Sequence, residues 1–250
     1  MTFDSDGGAE VPSQTLMNNR KAERPEDPEK EGRVFDAWVK EDGGVYDFDT
    51  PVTGDLTLKA SWLTPWGALQ REINKGGEIT LTEDVTAEET DTSLVIPEGL
   101  TVTLDLNGHT LDYNTTENSE RQSPAIIVNG TLILNDSSAD GSGRITGVNN
   151  NTEMGACGTV CVEGSFTMNG GTIKDNLSQI GGGVCNEGTF TMTNGKITGN
   201  TATLGGSVYK DGTFTMTGGG ISGNTAGDGQ GNAVYTKSSL KGCQSAKDVV

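Results

Sequence analysis

Apolar residues in the second part of the chain fall into short alternating runs that return at a fixed interval. Glu163-Gly164-Ser165-Phe166-Thr167-Met168 recurs as Glu187-Gly188-Thr189-Phe190-Thr191-Met192 and again as Asp211-Gly212-Thr213-Phe214-Thr215-Met216, a spacing of 24 residues. The same register carries Val160, Val184 and Val208, then Ile173, Ile197 and Ile221, then Asn176, Asn200 and Asn224. Val234 follows Val208 by 26 residues, with an insertion near Gly227 to Gly231. A period of this size marks a solenoid or a propeller. A propeller blade needs about 40–50 residues, and the Leu-x-x-Leu-x-Leu pattern of a leucine-rich repeat is absent. Three short strands fit in each period, at Gly-Val-Cys/Tyr, at Phe-Thr-Met and at Ile-x-Gly-Asn, separated by Gly and Asn turns.

The fold expected is therefore all-β: a right-handed parallel β-helix of about 24 residues per coil, whose coils stack at the ~4.8 Å spacing of paired strands. Phe166, Phe190 and Phe214 then form an interior aromatic ladder, with the Met, Ile and Val columns filling the remaining space. Thr167, Thr191 and Thr215 point outward as a row of hydroxyls. Asn176, Asn200 and Asn224 occupy a recurrent corner, where each amide can bond the next one and the turn backbone; the role assigned to them is structural. Earlier coils are less regular. Gly130 to Leu134 precedes Gly143 to Gly147 with an acidic insertion at Asp136 to Gly141, and before these come Glu78 to Leu81, Leu94 to Pro97 and Thr101 to Leu111. Roughly six to seven coils are expected between about 78 and 235. Beyond Tyr235 the pattern fails, and the β-helix, taken as 78–250, reads as truncated at its C-terminus.

Ahead of the repeats, residues 63–77 predict one amphipathic helix. Thr64 is the N-cap and Pro65 the first helical residue. Trp66, Leu69 and Ile73 share a face, and Gly76-Gly77 ends the helix. Its expected place is as a cap on the first coil. Residues 1–62 alternate differently. Leu56, Leu58, Ala60 and Trp62 mark a strand with one buried face, Val34 to Val39 a second, and Asp6-Gly7-Gly8 and Asp42-Gly43-Gly44 mark turns.

Two resemblances follow from these motifs. Thr2-Phe3-Asp4-Ser5-Asp6-Gly7-Gly8, Pro25 with Pro28, Gly32 to Trp38, Tyr46 to Val52 and Leu56 to Trp62 resemble the Listeria–Bacteroides repeat, also called the internalin B-repeat. The resemblance implies a small β-grasp-like module of the kind found in tandem on secreted and surface proteins of bacteria. Residues 63–235 are similar to pectin-lyase-like β-helix segments of bacterial surface proteins, on Trp66 to Gly77, Leu104-Asp105-Leu106-Asn107-Gly108-His109-Thr110 and the Gly-Gly-Gly-Val and Gly-Asn coil signatures. Together they imply an extracellular, cell-surface location and a protein longer than this chain. No secretion signal or anchor is recognisable within it.

Composition narrows the chemistry. The chain has 250 residues, 37 of them Gly, with 17 Lys and Arg against 35 Asp and Glu, a net charge of −18. That balance opposes electrostatic binding to nucleic acid or anionic lipid, and no apolar run is long enough to insert in a membrane. His109 is the only histidine, so no site can use two. A carbohydrate-active enzyme on this scaffold, a lyase or hydrolase, would need clustered carboxylates. The candidates are Asp105, His109, Asp112, Asp136, Arg144, Asp175, Lys196 and Asp211. The exposed columns vary from coil to coil, and no Asp-Asp, Gly-His-Gly or Arg-x-Lys segment typical of polygalacturonases occurs. No catalytic set, cofactor or metal is therefore expected. Asp4 to Gly8 lacks the later ligands of a calcium loop, and zinc at Cys157, Cys161 and Cys185 lacks a fourth ligand. Cys161 and Cys185 are one period apart and outward-facing, close enough for a disulfide or for two thiols. The function expected is that of a non-catalytic surface fragment, stalk plus β-helix, that binds glycans or host or matrix proteins.

Overall fold

The computed structural model describes residues 1–116, 119, 121–150, 157–227 and 230–236. The chain divides into two compact units, Met1–Ala68 and Leu69–Val250. The division falls inside the predicted helix rather than ahead of it.

In the first unit, the alternation of Leu56 to Trp62 becomes the strand Thr57–Leu63, the centre of a three-stranded mixed sheet. Thr2–Asp4 pairs with it in parallel, and Val34–Val39 pairs antiparallel with a bulge between Phe35 and Ala37. The connection between these outer strands is a Pro-containing segment with one short strand, Arg20–Lys21, rather than a helix. Alternation puts Leu58 and Ala60 on the buried face, where they join Phe3, Trp38 and Tyr46, with Phe35, Phe48 and Trp62 packed at the margin. The rings meet mainly edge to face: Phe3 and Trp38 at 4.9 Å and 62°, Tyr46 and Phe48 at 5.0 Å and 84°.

The helix spans Pro65–Ile73. The Thr64 hydroxyl caps it by accepting the Gly67 N–H at 2.9 Å, and Gly76 leaves it with φ 72°. Gln70, a polar residue of this helix, has a specific task. Its amide donates to the Val95 carbonyl at 3.0 Å and accepts from the Val95 N–H at 2.7 Å. Leu94–Ile96 is the first strand of its sheet, so the amide satisfies backbone groups that a preceding strand would otherwise satisfy. This is the capping role read from the sequence, with a side chain substituting for a strand.

Among the described residues, the second unit is a parallel β-helix with three walls of six rungs each. The aromatic wall ends in Ser165–Met168, Thr189–Met192 and Thr213–Met216. The isoleucine wall ends in Thr172–Lys174, Lys196–Thr198 and Gly220–Ser222. The valine wall ends in Val184–Asn186, Val208–Lys210 and Val234–Thr236. Every repeat-equivalent residue is a register partner of the next, as in Phe166↔Phe190↔Phe214 and Ile173↔Ile197↔Ile221. Earlier rungs obey the same register across longer coils: Val102 pairs with Leu132 and Leu132 with Phe166.

Stacking follows from that register. Phe166, Phe190 and Phe214 lie 4.9 Å apart, tilted by only 7° and 16°. Phe166 and Phe190 are fully buried, while Met216 of the last rung is 42% exposed. The asparagine column is a continuous buried chain of amides. Asn176 Nδ2 donates to Asn200 Oδ1 at 2.9 Å, and Asn200 Nδ2 to Asn224 Oδ1 at 3.0 Å. Each Oδ1 also accepts the backbone N–H of the coil before it, including that of Val148 from Asn176. The second Nδ2 bonds go to the carbonyls of Lys174, Ile173 and Ile197. With donors and acceptors both used, these amides stabilise the corner at no desolvation cost left unmatched.

The corner from the valine wall to the aromatic wall is two residues long in every coil but the first, where Pro97 to Leu100 occupies it. Its second residue is Gly130, Gly164, Gly188 or Gly212. A Cβ at Gly164, Gly188 or Gly212 would collide with the carbonyl of the corner glycine one coil earlier. Only hydrogen fits where the coils touch there. The other two corners absorb the insertions that make early coils long.

Three coils carry a fourth strand that the sequence pattern does not announce. Leu177–Ile180, Thr201–Leu204 and Thr225–Ala226 form a separate three-stranded parallel sheet between the isoleucine and valine walls. The pattern Leu-Ser-Gln-Ile next to Gly181-Gly182-Gly183 resembles a turn because only Ser178 and Ile180 are buried in it.

Candidate functional site

Three groups of chemically active side chains stand out among the described residues: a hydroxyl face, a set of turn carboxylates and a buried thiol cluster. The hydroxyl face is the outer side of the aromatic wall. Alternation with the buried Phe and Met residues turns two files outward. One is Thr101, Thr131, Ser165, Thr189 and Thr213; the other is Thr103, Ile133, Thr167, Thr191 and Thr215. All are exposed or half-buried. Parallel register spaces them at about 4.8 Å between rungs, so these five rungs are regular and uncharged, while Glu78, the register partner of Thr103, puts a carboxylate at the first rung. On the neighbouring isoleucine wall, Arg144, Thr172 and Lys196 are register partners, as are Lys174 and Thr198. Lys174 is ion-paired with Asp175 at 2.9 Å.

The carboxylates named from the sequence serve turns. Asp105 Oδ1 accepts the backbone N–H groups of Asn107 and Ser137, each at 2.9 Å. Asp136 Oδ1 accepts from Gly108 at 2.9 Å and from the Ser138 hydroxyl at 2.7 Å, and its Oδ2 accepts from Gly143 at 2.8 Å. Together they tie the acidic insertion down to the preceding coil. Burial alone pushes the Asp105 carboxyl up, but the hydrogen bonds from Ser137 and Asn107 outweigh it and hold the group below the ordinary Asp range. A carboxyl held ionised in this way is unsuited to deliver a proton as a general acid. Asp112 caps its own turn through the Asn114 N–H at 2.8 Å. His109 Nδ1 lies 3.4 Å from Asp84, whose Oδ1 also accepts the Thr110 N–H. Asp175 takes a left-handed backbone, φ 56°. Asp211 follows a valine-wall strand, where its N–H bonds the Asn186 carbonyl. Of the eight candidates, the structure joins Asp105 with Asp136 through shared turn contacts, and His109 with Arg144 through one backbone hydrogen bond. In the first unit, the Asp4 to Gly8 segment is a tight turn whose acceptors are used by cations. Lys30 Nζ bonds the Asp6 carbonyl at 2.6 Å and Lys59 Nζ pairs with its carboxylate at 2.9 Å.

The thiols need a correction. Cys161 and Cys185 do face away from the lumen and continue as Tyr209 and Tyr235, stacked at 5.6 Å. They are nevertheless buried: Cys161, Cys185 and Tyr209 form an apolar cluster with Cys157 and Ile180, and Leu204 packs against it. The fourth-strand sheet supplies Ile180 and Leu204, which is why an outward column is dry. Cys161 and Cys185 are register partners but remain thiols. Cys157, paired with Ile180 by an isolated parallel bridge, brings its sulfur close to that of Cys185, and Glu187 brings a carboxylate. These three ligand atoms lie within 4.8 Å of one another. Glu187 was invisible as a partner because it belongs to the Glu163/Glu187/Asp211 turn column, which reads as solvent-facing. Cys243 and the segment from Ser238 lie outside the described residues.

Among the described residues no helix is long and apolar enough to cross a membrane. No solved structure is a significant match to the chain. A protein of Evansella cellulosilytica that carries the inferred name Gly-rich membrane protein is 31% identical over 83 residues, which is 32% of this chain and 10% of that protein. The chain thus spans about a tenth of the length of the relative it matches. Residues 1–61 match the family model of the Listeria-Bacteroides repeat domain, a match that falls within the first unit and ahead of the parallel β-helix.

Proposed function

We propose that this chain is a non-catalytic part of a bacterial cell-surface protein, in which the repeat module acts as stalk and a pectin-lyase-like β-helix presents a surface that binds glycans or host or matrix proteins. The observation that carries the reading is the outer face of the aromatic wall. Five rungs of Thr and Ser at strand spacing make a regular array of donors and acceptors, suited to a polymer that also presents hydroxyls at regular intervals. The repeat at 1–61 and the relative named a membrane protein support an extracellular, surface-associated setting. The saturated turn carboxylates support binding without turnover, and the net charge of −18 favours neutral over anionic ligands.

The test is a screen of the chain against immobilised glycans and matrix proteins, repeated with Thr191→Glu, a change on an outward position that leaves the interior untouched. Binding that falls about tenfold or more in the variant, with an unchanged circular dichroism spectrum, supports the reading; one lost bidentate contact costs this much. Binding that survives the change moves the site off this face. Release of new reducing ends or unsaturated sugars from a bound polysaccharide overturns the non-catalytic assignment.

A further inference from the structure

We propose that Cys157, Cys185 and Glu187 form a zinc site that clips the outer layer of the β-helix to its valine wall. The three donors come from two different layers. Cys185 and Glu187 belong to the wall, two residues apart at the end of the strand Val184–Asn186. Cys157 belongs to the segment bridged to Ile180 in the outer sheet. The bridge to Ile180 and the shared cluster place them side by side, with their ligand atoms within 4.8 Å of one another. A tetrahedral zinc ion with ~2.3 Å bonds to sulfur sets its ligands roughly 3.8 Å apart, so a contraction of about an ångström closes the set.

The chemistry of the donors selects the ion. Two thiolates and a carboxylate suit zinc, whereas calcium and magnesium take oxygen ligands alone. Structural zinc sites are four-coordinate. Cys161, the register partner of Cys185 on the preceding coil, lies in the same buried cluster but outside the 4.8 Å set, so its side chain must move to supply the fourth ligand. Cys157, Cys161 and Cys185 are 6%, 3% and 0% exposed, and that burial matches a closed structural site rather than one with an open coordination position. Binding converts each coordinating thiol to thiolate and releases its proton to solvent, so affinity falls as pH is lowered. The carboxylate distinguishes this reading from a disulfide, which would use two sulfurs and leave Glu187 without a part.

The full chain, reduced and freed of metal, is titrated with cobalt(II), then with zinc. The expected result is one equivalent of cobalt with thiolate-to-cobalt charge transfer and the strong visible bands of a tetrahedral site, displaced by zinc, together with a rise in thermal midpoint on zinc addition. Glu187→Gln, at a half-buried position, weakens the affinity about tenfold or more while the fold is retained. Cys157→Ser with Cys185→Ser abolishes the charge-transfer band. Reduced protein that shows no thiolate charge transfer overturns the site, and this reading on the unmodified chain holds even if the double variant fails to fold. A band that survives the double variant, or an affinity unmoved by Glu187→Gln, also overturns it.

Discussion

The two units bury aromatic rings in opposite ways. In the repeat module Phe3, Trp38, Tyr46, Phe48 and Trp62 come from separate segments and meet mostly at steep angles, as with Phe35 and Trp62 at 80°. That is the arrangement ring quadrupoles favour. In the β-helix, Phe166, Phe190 and Phe214 lie nearly parallel. Translation from coil to coil leaves them no choice, since equivalent residues must adopt equivalent orientations. The module optimises each contact once. The β-helix repeats one contact that is adequate and gains from its number. A change in the module therefore acts on a shared core, whereas a change in the β-helix acts on its own coil and the two beside it.

That contrast can be broken at its strongest point by ring removal. Trp38→Ala and Phe190→Ala should each cost about 3–5 kcal/mol. Each ring answers to its own core, so Trp38→Ala lowers the module's transition and Phe190→Ala that of the β-helix, as followed by urea melts with separate probes. Phe214→Ala, on the half-buried last rung, should cost less than half as much as Phe190→Ala. Equal costs at the two rungs would refute the nearest-neighbour picture. A smaller effect sharpens it. Asn200→Ala removes the middle amide of the buried column and leaves groups on both neighbouring coils unmatched, for about 2–4 kcal/mol. Asn224→Ala, with fewer coils to serve, should cost less, and hydrogen exchange should report the loss at the N–H groups of Asn176 and Asn200.

The smallest effect is one of pH. Asp105 has a folded-state pKa below its unfolded value, so the unfolded chain binds more protons in acid. Its contribution is complete above the unfolded value of about 3.9 and is lost as pH falls through the lower folded value. Asp105→Asn should flatten the acid arm of the β-helix stability curve between about pH 5 and 2 without changing the module's. An acid arm that keeps its full slope in the variant would assign the effect to other groups.

The sequence was legible wherever one residue type marks one environment. The Phe, Ile, Val and Asn columns could be placed because repetition at 24 residues shows them in three coils at once. The first-rung cap was legible from Thr64, Pro65 and Gly76, although Gln70 as the residue facing the open strand was not. The outer sheet was missed because burial there depends on Ile180 and Leu204 folding back over a neighbour in space, and alternation in Leu177 to Ile180 is too short to announce it. The thiol cluster was missed for the same reason. Alternation alone places Cys161 and Cys185 on an outward column, the layer that covers them has no local signal, and Glu187 resembles one more turn acid.

The corner glycines have a consequence for how such a protein changes in length. Coils touch there through backbone, and after the first coil the corner stays at two residues while the other corners vary in length. Insertions of any size can be looped out at those permissive corners without moving the ladders. Elongation of the rod is different. It comes only in whole coils, each bringing an apolar residue into the interior column and each adding about 4.8 Å of reach. The rod is in effect ruled in fixed divisions, and the distance between whatever its two ends hold can be adjusted by lineage only in those steps.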